Sequence, residues 1–131
     1  IAAAEAELAM PETKIGTLPG WAGTRRLPAL VGPARAKQLV FTGARLGADR
    51  AERWGVVNEV VPRSDLTART RALAEEIAAN APVAVQLAKA AIDGLPASLE
   101  AVAGALAATT EDGREGVASF RDKRAPRFEG R

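Results

Sequence analysis

One segment of this sequence, Val56 to Val61, has the β-branched composition of a strand, and it limits the possible folds more than any other. Gly55 precedes it and Pro62 follows it, and both residue types typically mark the ends of a strand. A strand is stable only beside partners, and the other extended pieces, within residues 6–19, are short and interrupted by proline and glycine. We therefore expect too few strands here for an independent sheet.

The remainder of the chain carries helical signals. Apolar residues recur at helical spacing across the second half, and prolines and glycines mark the boundaries. The predicted helices cover about residues 24–31, 33–41, 48–54 and 65–80, a segment that begins at Pro82, a segment around 99–106, and residues 111–123. The sequence therefore predicts an α/β (α+β) chain with loops and extended pieces first, followed by helices.

Cysteine, histidine and tyrosine are all absent. This composition excludes disulfides, thiolate nucleophiles and Cys/His metal sites, so any proton transfer by a side chain must use Asp, Glu or Lys. A net charge of +2, with only three Phe and two Trp, argues against a nucleic-acid partner. No apolar run reaches the roughly 18 residues of a membrane span.

The sequence opens at Ile1 without a methionine, and its first ten residues lack the basic head and apolar core of a signal peptide. We expect a cut end here, with a further portion of the protein, and any targeting segment, preceding it. A cytoplasmic location is the working expectation.

Four segments of the sequence occur in an order and spacing that is specific when they are taken together. They are Pro11-Glu12, the Pro19-Gly20 turn followed by Gly23-Thr24, the block from Thr42 to Asn58, and the run from Phe120 to Arg124. Together they resemble the second half of the enoyl-CoA hydratase/isomerase (crotonase) family, over essentially the whole chain. The resemblance implies the end of a crotonase-type β-β-α spiral core over residues 1–62. It implies a mostly helical C-terminal trimerisation region over residues 63–131, which assembles into homotrimers or hexamers.

The resemblance also implies a reaction, the addition of water to a 2-enoyl-CoA thioester. CoA is part of the substrate, and no further cofactor or metal is expected. Glu12 matches the glutamate that exchanges the proton at C2, while a second glutamate handles the attacking water. That second glutamate and the backbone donors of the oxyanion hole belong to the family's N-terminal half, which no segment here resembles. We therefore expect that half of the same protein to be a required partner, and this chain to be inactive alone.

Other interpretations of the chain remain open. Without the resemblance, Glu12 is a solvated loop carboxylate beside a turn. Within the family, a 3,2-enoyl-CoA isomerase needs a single glutamate at this position to move a proton between C2 and C4. In a different class, the chain is a non-catalytic assembly module, or one half of a split protein, that is retained for its trimerising helices.

Two further segments are candidates for substrate binding. In the family, the Pro19-Gly20 turn lies against the active site, where glycine lets the backbone approach the acyl group. The family often has small residues at the next two positions, where this chain has Trp21 and Ala22. Trp21 either fills a gap in the core or narrows the acyl pocket.

The basic C-terminal tail, from Arg121 to Arg131, carries five Lys and Arg residues. Such a run is typically a solvated face. However, Phe120 and Lys123 match a family phenylalanine that borders the acyl-CoA and a lysine that approaches its phosphates, both across a subunit boundary. Phosphate groups favour such a cation.

Overall fold

Helix boundaries follow the prolines and glycines of the sequence. The computed structural model describes residues 1–94 and 96–131. Its helices are a 3-10 helix (Glu12–Ile15), α1 (Gly23–Val31), α2 (Pro33–Thr42), α3 (Ala48–Arg53), α4 (Leu66–Ala78), α5 (Pro82–Ile92), α6 (Ala97–Thr109) and α7 (Glu111–Arg121). Pro33 and Pro82 occupy first turns, where a missing N–H costs nothing. Gly43 and Gly55 follow α2 and α3 with φ of 54° and 76°, a left-handed backbone that favours glycine.

The prediction of a strand from Val56 to Val61 is mostly wrong. Only Val60–Val61 (β4) belongs to a sheet. The N–H of Val56 instead donates to the carbonyl of Ala51 at 2.8 Å, which closes the end of α3. Val56 and Val57 pack against the hydrophobic core. Tertiary packing and helix capping therefore outweigh β-propensity at these positions.

The strands of the structure form two minimal sheets. β1 (Ala2–Ala3) pairs in parallel with β4, and Ala2 lies opposite Val60. β2 (Glu7–Leu8) pairs antiparallel with β3 (Leu46–Gly47). Two strands are too few for an independently stable sheet. The expectation that no larger sheet forms is correct for the part of the chain that the structure describes.

The first of two compact units, Ile1–Thr70, contains the buried core. That core is formed by Leu27, Val31, Ala36, Leu39, Val40, Leu46 and Ala51. Leu46 is 2% exposed, and full burial of such a side chain contributes about 1.5–3 kcal/mol. The core therefore makes this unit the rigid support on which the 3-10 helix rests. The division at residue 62 into core and assembly region stays a prediction.

The second unit, Arg71–Arg131, is built by packing α5 on α6 and α6 on α7. The Thr110 side chain accepts the N–H of Gly113 at 2.8 Å and so caps α7. Among residues 71–94 and 96–131, no apolar side chain is buried. Leu99, Val102 and Leu106 repeat at helical spacing and are about half exposed. None of the described helices has the length and apolar character needed to cross a membrane.

Candidate active site

Glu12 is the first residue of the 3-10 helix, and the backbone around it is fixed. Gly16 ends the helix with φ of 77°, and the Thr17 N–H donates to the Glu12 carbonyl at 3.1 Å. The Thr13 hydroxyl donates to the Val40 carbonyl of α2 at 2.6 Å. The 3-10 helix is therefore tied to a helix of the core. Nothing in the sequence pattern pointed to this role of Thr13.

One oxygen of the Glu12 carboxylate is buried without a hydrogen-bond partner. The residue as a whole is half-buried, so it is not a fully solvated loop carboxylate. Within residues 1–94 and 96–131, its Oε2 is the one buried side-chain polar atom that lacks a partner. An unsatisfied buried polar atom costs about 1–3 kcal/mol. Such atoms are rare in native proteins, and each one is a candidate for a functional role.

The Pro19-Gly20 turn lies close to the segment that carries Glu12. A Cβ atom on Gly23 would lie 2.7 Å from the Cβ of Pro19 and 3.6 Å from the Cε of Met10. Pro19 is buried, and Met10 packs on the core two residues before Glu12. Glycine at the start of α1 therefore permits this close packing. The structure brings the predicted catalytic segment and the predicted substrate turn together.

Trp21 does not fill a gap in the core, so that interpretation is wrong for this chain. Its side chain is 99% exposed. Gly20 is also exposed, and a Cβ there would meet only the Leu18 carbonyl oxygen, at 3.8 Å. The other interpretation, in which the indole narrows an acyl pocket, stays a prediction.

Ala22, directly before α1, has a left-handed backbone with φ 67° and ψ 12°. For a residue with a Cβ this conformation costs about 1–2 kcal/mol. We expect Ala22→Gly to raise the free energy of unfolding by about 0.5–1 kcal/mol, because relief of strain exceeds the added chain entropy. Urea unfolding of the chain measures it. Ala29→Gly, at an exposed position within α1, is the matched control and should lower stability by about 1 kcal/mol. A loss of stability in both variants would contradict the strain.

Phe120 and Lys123 lie at the end of α7, in the second unit. This helix ends at Arg121 rather than at the predicted Lys123. The Phe120 side chain is 88% exposed, and Lys123 is exposed with a φ of 53°. Their relation to Glu12, in the first unit, stays a prediction.

The basic tail is not simply a solvated face, because ion pairs hold parts of it. Glu115 accepts hydrogen bonds from the Arg124 guanidinium at 2.6 and 2.8 Å and from the Arg127 N–H at 2.9 Å. These bonds, with that of Arg124 the largest cause, lower the pKa of Glu115 to about 2. Arg131 pairs with Glu111 at 3.0 Å. Sequence reasoning missed Glu115, since a separation of nine residues matches no helical repeat.

Two clefts lie beside the predicted site segments, one in each unit. The cleft between α7 and the tail has a volume of about 970 Å³ and is lined by four carboxylates and four guanidinium groups, so its charges balance. A second cleft, of about 600 Å³, is lined in part by Pro11, Lys14 and Arg45. Across the described residues, no three or more acidic side chains are grouped so that they could hold a metal ion.

Comparisons with known proteins agree with one another. A family model described as enoyl-CoA hydratase/isomerase matches residues 1–131. The Bos taurus enoyl-CoA hydratase domain-containing protein 2, mitochondrial, is 43% identical over 141 residues, which cover 99% of this chain and 48% of that protein. The crotonyl-CoA hydratase of Syntrophomonas wolfei is 41% identical over 135 residues, covering 98% and 52%.

A solved structure gives the same result for the fold. The crystal structure of enoyl-CoA hydratase from Bacillus anthracis matches 98% of this chain and 53% of its own, with a TM-score of 0.88 and 38% sequence identity. The chain therefore spans about half the length of these relatives.

Proposed function

The chain belongs to the enoyl-CoA hydratase/isomerase family, and we propose that it forms the C-terminal half of an enoyl-CoA hydratase. The complete protein, meaning this chain together with a proposed N-terminal half equivalent to the part of the relatives that it does not cover, would add water to the double bond of a 2-enoyl-CoA thioester. The support is the identity to a protein named crotonyl-CoA hydratase and the coverage of about half its length. CoA is part of the substrate, and the proposal includes no other cofactor. It also includes a cytoplasmic location, which cell fractionation would test.

One observation carries the catalytic part of the proposal, the buried and unpartnered Oε2 of Glu12. In hydration, the water oxygen bonds to C3 of the acyl chain and a proton is delivered to C2. We assign that proton to the carboxyl group of Glu12, since a free oxygen on a fixed backbone is suited to directed proton transfer. The negative charge that develops on the thioester oxygen needs backbone N–H donors. We assign those donors and the second glutamate to the N-terminal half.

The substrate contacts are a further part of the proposal. Pro19 and Gly20 would approach the acyl group, because the turn packs beside the segment of Glu12. Trp21, whose ring is exposed, would limit the length of the acyl chain. Phe120 and Lys123 would contact the CoA portion, the ring by packing and the ammonium by attraction to phosphate.

Assembly is a further part of the proposal. Leu99, Val102 and Leu106 are about half exposed along α6, and Ile92 of α5 is 86% exposed. Apolar surface of this extent favours contact with other protein surface. We propose a homotrimer or a hexamer, and sedimentation of the complete protein measures its mass.

The experiment that tests this function uses the complete protein with two substrates. With a 2-enoyl-CoA, we expect loss of the absorbance of the conjugated thioester and a product heavier by one water. With a 3-enoyl-CoA, a hydratase gives no rapid rise of that absorbance, whereas a 3,2-enoyl-CoA isomerase does. Turnover of neither substrate would favour the non-catalytic assembly module. The chain of 131 residues alone is expected to be inactive, because the proposal assigns the oxyanion donors to the N-terminal half.

A further inference from the structure

Lys123 has an unfavourable backbone conformation at the end of α7. Its φ is 53°, in the left-handed region that residues with a Cβ rarely adopt. The Lys123 N–H donates to the Phe120 carbonyl at 3.3 Å, and the Arg124 N–H donates to the Ser119 carbonyl at 3.0 Å. This is the helix-ending geometry in which glycine is usual. A strained residue persists only where its surroundings hold it, and strain of this kind clusters at functional sites.

The residue after Lys123 is held by a two-pronged ion pair. Arg124 Nη1 lies 2.6 Å from Oε1 of Glu115, and Nη2 lies 2.8 Å from Oε2. The Arg127 N–H donates to the same Oε1 at 2.9 Å. Bidentate arginine–carboxylate pairs fix orientation as well as distance. The backbone on the C-terminal side of Lys123 is therefore fastened to α7.

A second anchor holds the far end of the tail. Asp112 is 2% exposed, and its two carboxylate oxygens accept the N–H groups of Glu129 at 2.7 Å and Gly130 at 2.8 Å. The Asp112 N–H donates to the Arg131 carbonyl at 3.0 Å. The tail is thus bound to α7 at two points, one of them directly beside Lys123.

The hydrogen bonds that Glu115 accepts from Arg124 and Arg127, here called the clamp, leave the Lys123 ammonium available. Arg124 is paired with Glu115, and Arg131 with Glu111. Lys123 is exposed and forms no ion pair with any residue that the structure describes. The ammonium of Lys123 is therefore exposed and unpaired, whereas the guanidinium of Arg124 is paired with Glu115.

We propose that Glu115, through Arg124, is a positioning residue that holds Lys123 in its left-handed conformation and so sets where its ammonium meets the phosphates of the CoA portion. This inference rests on the proposed function, because it takes CoA binding by Lys123 as given. Glu115 itself touches no substrate. Without the clamp, the backbone of Lys123 relaxes toward a right-handed or extended conformation and redirects the side chain.

The test compares one enoyl group on two carriers in the complete protein: CoA, and pantetheine, which lacks the phosphates. Glu115→Gln and Lys123→Ala are each expected to raise KM for the CoA ester about 5–10-fold, the effect of one charge-assisted contact, with kcat within about twofold. The double variant should have the same KM for the CoA ester as Lys123→Ala alone, because Glu115 acts only through Lys123. Neither substitution should change KM for the pantetheine ester.

Two further variants keep the test decisive. Arg124→Lys retains the charge but loses the bidentate geometry, so its KM for the CoA ester should fall between wild type and Glu115→Gln. It also replaces Glu115→Gln if that variant fails to fold. Glu111→Gln is the matched control, since it makes the same substitution on the same helix at an exposed ion pair, and it should leave KM unchanged.

Three results would overturn the positioning role: effects that multiply in the double variant, an equal rise in KM for the pantetheine ester, or lower thermal stability of Glu115→Gln with KM unchanged. An unchanged KM in Lys123→Ala would be a fourth result against it, because Lys123 would then not contact the phosphates. If hydration in that case still depends on Glu12, the hydratase function stands. If the complete protein hydrates neither ester, the hydratase function fails. Calorimetric Kd values for CoA then decide the positioning role by the same comparison of variants.

Discussion

Glu12→Gln in the complete protein is expected to lower kcat for hydration by about 10²–10⁴-fold, with little change in KM. Glutamine has nearly the shape of glutamic acid but cannot deliver a proton to C2. Since Glu12 Oε2 has no hydrogen-bond partner, the substitution breaks no bond of that oxygen. The measurement is steady-state turnover of a short 2-enoyl-CoA.

Glu5→Gln is the control for this prediction. Glu5 is exposed and pairs loosely with Arg63, at 3.6 Å, so its loss should change turnover by less than about twofold. Thermal unfolding of both variants separates an effect on chemistry from an effect on folding. Full turnover by Glu12→Gln would show that the catalytic assignment is wrong, whichever reaction the protein performs.

Gly113→Ala is expected to lower the free energy of unfolding of the second unit by about 2–3 kcal/mol. A Cβ on Gly113 would lie 2.4 Å from the carbonyl oxygen of Ala107 and 3.0 Å from the Cα of Ala108. Both contacts are with backbone, so no side-chain rotation can relieve them. The turn between α6 and α7 would have to open, and the cap from Thr110 would be strained. Urea unfolding followed by circular dichroism measures the loss.

Gly104→Ala provides a control of opposite sign. Gly104 lies within α6, and a Cβ there would meet no atom within 4 Å. Alanine should therefore stabilise the helix by about 0.5–1 kcal/mol, because it restricts the unfolded chain more than glycine does. Equal effects of the two substitutions would contradict the close approach of the α6–α7 turn.

Helix boundaries could be predicted from sequence because they depend on local chemistry. Pro33 and Pro82 begin α2 and α5, and Gly43 and Gly55 follow α2 and α3, for reasons that lie within a few residues of each. The strand prediction at Val56 failed for the opposite reason. The bond from its N–H to Ala51 and its packing on the core depend on the tertiary structure, which β-propensity does not include.

The features of the candidate site also fall into those that the local sequence predicts and those that depend on tertiary structure. Glu12 and Lys123 could be proposed from their neighbours in the sequence and the family resemblance. The buried Oε2 of Glu12, the contact of Thr13 with α2 and the clamp on Glu115 could not, since each joins residues distant in sequence or depends on burial. Trp21 shows that size alone misleads, because a large indole predicts core packing and the structure exposes it.

The pairing of β1 with β4 has a consequence for the order of folding. It joins Ala2 to Val60, nearly the whole length of the first unit, whereas α5 packs on α6 and α6 packs on α7, each time the next helix along the chain. Closing a long loop must precede the contacts that stabilise it, so such pairings form slowly. The helical hairpins can form within microseconds to milliseconds. During synthesis, β1 therefore cannot pair with β4 until β4 has left the ribosome.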